Sequence, residues 1–198
     1  EFNYKYNTVN EDYALQNTFN ATLFLKNHKS KDYNSYPGYR YGKDTLVLPS
    51  NFKKKLKEIC LKNKKRFIVI ILSIYGRGLE NETWAHTNAL IFDSKLKTLE
   101  RFEPYGDTPF YDLIVVDSLI QKKLKPLLKF KKYYHPLDFC PTKNVQSQLQ
   151  KLQKGVDPGG YCTMWCIWYI DMRLSHPNID REKLIKKAIK KIEGKTDD

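Results

Sequence analysis

The stretch TWAHTNALIFDSKLKTLERFEPYG, Thr83 to Gly106, decides the fold. His86–Phe92 reads as one strand, Asp93–Lys97 as a turn and Leu99–Glu103 as the returning strand. Pro104, Tyr105 and Gly106 then break the pattern. Just upstream, FIVIILSIY (Phe67–Tyr75) is an unbroken, β-branched apolar run. Such a run marks a central strand. It is far too short to span a bilayer. Gly76-Arg77-Gly78 ends it. A tight turn at Asp93–Leu96 would set Ala89 opposite Glu100, Thr87 opposite Phe102 and His86 opposite Glu103. Directly opposed side chains lie about 5 Å apart at Cβ. Ser-Lys is not a favoured two-residue turn, so a slip of one residue stays open.

Working outward, Ser50 can cap a helix to about Lys62, with Phe52, Leu56, Ile59 and Cys60 on one face. Tyr111–Leu124 reads as a helix that stops near Pro126, and Phe130–Tyr134 as a further strand. Cys140–Gly160 is mostly loop, with a helical turn at Ser147–Leu152. Cys162–Leu174 is an apolar helix ended by His176-Pro177. The last helix, Asp180–Glu193, turns Leu184, Ile185, Ala188, Ile189 and Ile192 inward. The fold class is α+β: a small central, mainly antiparallel sheet packed against helices. Residues 1–48, rich in Asn, Tyr and Lys, read as an extension that covers the domain or docks a partner. Residues 49–198 read as the main folded domain.

Hydrophobic residues make up 41% of 198, enough for one domain with its own core. The opening Glu1-Phe2 carries no secretory signal, so the piece is expected to be intracellular and cut from something longer. Four cysteines (60, 140, 162, 166) are too sparse for a disulfide scaffold and read as reduced thiols. Cys162 and Cys166 share a helix face, but only four histidines (28, 86, 135, 176) could join them. No metal and no cofactor is expected. The net charge of +13 comes from lysines spread over helix faces such as KLIKKAIKKIEGK, with only six arginines. A nucleic-acid surface would favour Arg and an aromatic platform, so contact with nucleic acid is expected only through non-specific charge.

The second informative stretch is DPGGYCTMWCIWYID, Asp157 to Asp171. Gly159 and Gly160 leave room beside Cys162. At a helix start, free N–H groups and the helix dipole favour thiolate. Cys162 would be the nucleophile and His86 the base that takes its proton and returns it to a leaving amine. Glu103 would orient the ring and hold the imidazolium. Cys166, one turn further in, reads as core. Each residue has a plainer reading: Cys162 as buried core, His86 as an edge-strand histidine, Glu103 as a surface charge paired with Arg101 or a lysine. The three together favour the catalytic one.

These stretches, TWAHTNALIFD, LERFEPYG and GGYCTMWCIWYIDMRL, resemble the adenain and SUMO-protease superfamily of cysteine peptidases, and within it uncharacterised proteins of large DNA viruses. The resemblance covers roughly Phe67 to Leu174. It implies a papain-like or adenain-like fold with the nucleophile at a helix N-terminus, and a chain order of His, acid, Gln, Cys. It also implies an oxyanion donor, for which Gln146 is preferred and Gln153 is second. Departures are Thr87 where many members carry Trp after the His, and Val156 where the Gln usually stands. The implied activity is a thiol isopeptidase acting on ubiquitin or a ubiquitin-like modifier. Trp84 and Tyr161 would line its substrate groove. The protein would be a monomer in the host cytoplasm or virion, with no membrane partner. Alternatives are a maturation protease for viral structural polyproteins, an acetyltransferase, and a basic nucleic-acid-binding protein with an inert thiol.

Overall fold

The computed structural model describes residues 18–25, 44–59, 65–77, 83–108, 111–152 and 161–193. Its centre is a six-stranded sheet in the order β2-β1-β3-β4-β5-β6. The strands are β1 (Thr18–Phe24), β2 (Thr45–Val47), β3 (Phe67–Arg77), β4 (Thr83–Asp93), β5 (Thr98–Phe102) and β6 (Lys132–Tyr134). Pairings β1–β2, β3–β4 and β4–β5 are antiparallel, whereas β1–β3 and β5–β6 are parallel. The α-helices are α1 (Phe52–Lys57), α2 (Leu113–Leu128), α3 (Val145–Leu152), α4 (Tyr161–Ser175) and α5 (Arg181–Ile192). The α+β class therefore holds.

Helices cover both faces of the sheet, which is why β3 is apolar without alternation. Ile68, Ile70, Leu72 and Ile74 of β3 pack with Leu90 and Phe92 of β4 on one face. Phe52 and Leu56 of α1 and Val116, Ile120 and Leu124 of α2 close that core. On the other face Phe67, Ala89, Ile91 and Phe102 pack with Val145 of α3, Cys166 and Tyr169 of α4 and Ile185 of α5. Tyr169 stacks flat on Phe102, with centroids 4.1 Å apart. A polar knot ties the helical side of this second core to the sheet. Buried Glu100 accepts from Tyr169 Oη at 3.0 Å and Arg173 Nε at 2.9 Å, and pairs with Arg181.

Three expectations need correction. The hairpin register is shifted by two residues: Ala89 lies opposite Phe102 and Asp93 opposite Thr98. Asp93 Oδ1 accepts from the N–H groups of Lys95 and Leu96, and Lys97 takes a left-handed φ of 56°. These bonds build a four-residue loop in place of a tight turn. A shift of two keeps every side chain on its face. The helix read as stopping near Pro126 runs on to Leu128, which is buried, and closes with Lys129 in the left-handed region. Proline in the last turn costs one hydrogen bond, and burial of Leu124 and Leu128 offsets it. Finally, residue 48 is not a structural boundary among the described residues. β1 lies between β2 and β3, with Phe19, Ala21 and Leu23 buried. Part of the presumed extension is sheet.

Candidate active site

Strand alternation places His86, Asn88, Arg101 and Glu103 on the α2 side of the sheet. His86 Nε2 and Glu103 Oε1 are 2.6 Å apart, and both side chains are buried. The pair expected from the hairpin therefore forms, although through a different register. Asn88, not His86, is the residue level with Glu103 on β4. It donates Nδ2 to Glu103 Oε2 at 2.9 Å.

The carboxylate is held from several sides. Tyr105 N–H donates to Oε1 at 2.9 Å, and the Tyr111 hydroxyl donates to Oε2. Arg101, fully buried, sits 4.0 Å from Oε2. Its guanidinium donates Nη1 to Asn88 Oδ1 at 2.7 Å and Nε to Asp117 Oδ1 at 2.6 Å. Asp117 in turn accepts from Tyr133 Oη at 2.6 Å and pairs with His135 Nδ1 at 2.9 Å. Burial alone would push Glu103 toward the acid form. The charge and hydrogen bond of His86, then Arg101 and Tyr111, hold it below the usual carboxylate range.

Cys162 lies in the first turn of α4, on the strand segment His86–Thr87. Thr87 Oγ1 and Thr163 Oγ1 are 3.0 Å apart, and Cys166 Sγ donates to Thr87 O at 3.3 Å. With Nε2 engaged by Glu103, Nδ1 is the ring nitrogen left for the thiol. Burial pushes His86 down, but the Glu103 carboxylate and hydrogen bonds to Cys162 and Glu103 raise it to about 10. Burial pushes Cys162 up, but His86 and bonds from Thr87 bring it down to about 7. The two shifts run in one direction: beside the Glu103 carboxylate they favour the proton on imidazole over sulfur. Burial drives Cys166 and Cys140 the other way, to pKa values above the ordinary thiol range. Among the three described cysteines, Cys162 is the one whose surroundings lower the thiol pKa.

The other predicted residues fall around this pair. Gln146 is buried in the first turn of α3, and its N–H bonds Pro104 O at 3.0 Å, one residue from the acid. Gln153, Gly159 and Gly160 lie outside the described residues. Trp84 stacks on Tyr111 with centroids 5.9 Å apart, and its ring lies over Gly76, where a Cβ would come within 2.0 Å. It thus braces the tyrosine that holds Glu103. Tyr161 is half-buried beside the thiol. Sequence reading missed Asn88, Tyr111, Arg101 and Thr87. Asn88 carried a signal, since it lies two residues from His86 on the same strand face. Tyr111 carried none. Among the described residues no His/Cys/Asp/Glu group could hold a metal ion.

Comparison with known proteins corrects the family resemblance. No family model matches the chain, and no solved structure matches it. A curated protein that does match is named as an ankyrin repeat protein of Acanthamoeba polyphaga mimivirus. It is 30% identical over 162 residues, covering 74% of this chain. The chain spans only 20% of that relative's length. These findings overturn the assignment to the adenain and SUMO-protease superfamily. Ankyrin repeats are stacked helix pairs of about 33 residues, whereas the described elements here build a six-stranded sheet. Triads recur on unrelated folds, so short motifs around a thiol and a histidine do not fix ancestry. The site stands on its own geometry.

Proposed function

We propose that this chain is a thiol hydrolase of peptide or isopeptide bonds, with Cys162, His86 and Glu103 as its triad. The observation that supports it is the buried His86, pinned by Glu103 at 2.6 Å on one nitrogen and bonded to a thiol lowered to about 7 on its other side. Thiolate, imidazolium and carboxylate in that order are what acyl transfer to sulfur needs. The Cys162 sulfur adds to the substrate carbonyl carbon, and the carbonyl π pair moves to oxygen. The tetrahedral intermediate collapses: the C–N bond breaks and His86 gives its proton to the leaving amine. Water then attacks the thioester, His86 takes the water proton, and the C–S bond breaks to release acid and thiolate. The Cys162 N–H at the start of α4 and the Gln146 amide are the proposed donors to the oxyanion. The thiol at a helix N-terminus against a strand-borne histidine is a papain-like arrangement.

The proposed substrate is a folded protein joined through its C-terminus, of the ubiquitin or ubiquitin-like class. Met164 and Ile167, on the helix that begins at the thiol, are 62% and 53% exposed. Apolar side chains left open beside a nucleophile suit a protein surface better than a small polar substrate. Incubation with ubiquitin and ubiquitin-like proteins bearing C-terminal electrophiles tests this, read by intact mass. A one-to-one adduct on Cys162, absent in Cys162→Ala, is expected. Labelling that survives Cys162→Ala would remove the reading.

A further inference from the structure

Glu103 stands just past the end of its strand. The last paired position of β5 is Phe102, opposite Ala89, and no ladder bond from β4 holds the acid's own carbonyl. A buried residue 41 positions away does so instead. Asn144 Nδ2 donates to the Glu103 carbonyl at 2.6 Å, while its Oδ1 accepts from Val145 N–H at 2.9 Å. Around this bond the segments after β5 and before α3 are laced together. Asp107 N–H bonds Thr142 O at 2.7 Å, Asn144 N–H bonds Tyr105 O at 3.1 Å, and Gln146 N–H bonds Pro104 O at 3.0 Å. Gly106 makes the approach possible. Its φ is +95°, and a Cβ there would lie 2.5 Å from the carbonyl oxygens of both Pro141 and Thr142.

We infer that Asn144 is a positioning residue of the thiol site: it replaces the missing strand ladder and holds Glu103 at hydrogen-bonding distance from His86. The inference rests on the thiol-hydrolase reading above. Asn144 touches neither thiol nor substrate, so it acts through Glu103. The charged and titratable groups around the Glu103–His86 pair are Cys162 and Cys166 from α4, Arg101 from β5, Tyr111 ahead of α2 and Cys140 ahead of α3. None of them takes over the bond to the Glu103 carbonyl.

The test is the rate of Cys162 alkylation by iodoacetamide against pH, together with an NMR titration of the His86 ring. In the unaltered protein alkylation should turn on near pH 7 and His86 should titrate near 10. Asn144→Ser keeps an oxygen able to cap α3 but cannot reach the Glu103 carbonyl. With Glu103 loosened, His86 should titrate lower and alkylation should begin higher, each by about one pH unit, the shift given by losing one charge-assisted hydrogen bond. A residue with only a structural role would lower Tm and leave both midpoints in place, and that result overturns the inference. If Asn144→Ser does not fold, Asn144→Asp decides. It is isosteric and removes the donor, and its added charge alone would push His86 upward. A fall of His86 in that variant can come only from a displaced Glu103, and a rise or no change overturns the inference. An unaltered protein whose Cys162 titrates like an ordinary thiol would refute the thiol-site reading itself, whatever Asn144 does.

Discussion

Glu103→Gln separates the charge of the acid from its shape. The carboxylate oxygen lies 2.6 Å from His86 Nε2, and both side chains are almost wholly out of water. Two charges roughly 4 Å apart, centre to centre, in an effective dielectric of about 20 attract by about 4 kcal/mol. That is close to 3 pH units on the imidazole. Without it, His86 should fall from about 10 toward neutrality. Because Glu103 raises His86, the imidazolium stabilises the fold fully below about pH 6.5, and this contribution fades as pH climbs through about 10. The variant should lose that contribution. The amide also fits poorly. Tyr105 N–H, Asn88 Nδ2 and the Tyr111 hydroxyl all donate to the carboxylate besides His86. Glutamine offers one oxygen to this ring of donors, so at least one donor meets an NH₂ group, at about 1–3 kcal/mol. The expected outcome is a fall in kcat/KM of about 10²- to 10⁴-fold, a His86 titration lowered by 2–3 pH units by the Coulomb figure above, and a lower Tm. His86→Ala should cost at least as much activity. Wild-type midpoints for His86 and Cys162 in Glu103→Gln would show that the carboxylate does not hold the proton on the imidazole.

Cys166→Ser should leave electrophile labelling at one equivalent on Cys162, since Cys166 is buried and raised; peptide mapping that finds the label on Cys60 or Cys140, or on Cys166 in the unaltered protein, refutes the assignment. Gly76→Ala should lower stability by about 1–3 kcal/mol through overpacking, because the new Cβ meets the Trp84 ring at 2.0 Å; chemical denaturation measures it, and an unchanged midpoint would mean that the ring is free to move. Deleting residues 1–45 removes β1 from between β2 and β3, so Tm and turnover on protein and short peptide substrates should fall together; a higher KM on the protein substrate alone would restore a docking role for this segment.

How much was legible in the sequence depends on the range of each signal. The β3–β4–β5 core and the meeting of His86 with Glu103 follow from runs and alternations within about forty residues. The register error shows the limit of that reading. Asp93 caps its own turn through two backbone bonds, and the two-residue shift left the pair on one face. Strand β1 was not legible, because TFNATLF sits in Asn-rich surroundings and its partner β3 begins some fifty residues later in a parallel pairing. Asn144 was invisible for a similar reason: its bond to the Glu103 carbonyl spans 41 residues. Tyr111 is only eight residues from Glu103, but it reaches the carboxylate through the chain reversal after β5, which no local pattern announces. Arg101 read only as a possible surface partner of Glu103, yet it is fully buried; the helix that carries Asp117 was legible, but not that it sets Asp117 against Arg101 as its counter-charge. The family assignment failed because motif spacing reports geometry more faithfully than descent.

The hydrogen bond between Thr87 and Thr163 joins residues 76 positions apart, and this separation bears on the order of events as the chain is made. A β-hairpin closes within microseconds, so β4 and β5 can pair while the rest of the polypeptide is still being synthesised. Domains are completed only at the pace of elongation, several residues per second. The histidine and its acid can therefore meet seconds before the helix bearing the sulfur exists. A fragment that ends after Asn144 and before residue 161 would hold the His86–Glu103 pair and its Asn144 tie without Cys162. On the thiol-hydrolase reading, the proposed reactivity therefore waits for the docking of α4, which brings Cys162 to a base already built.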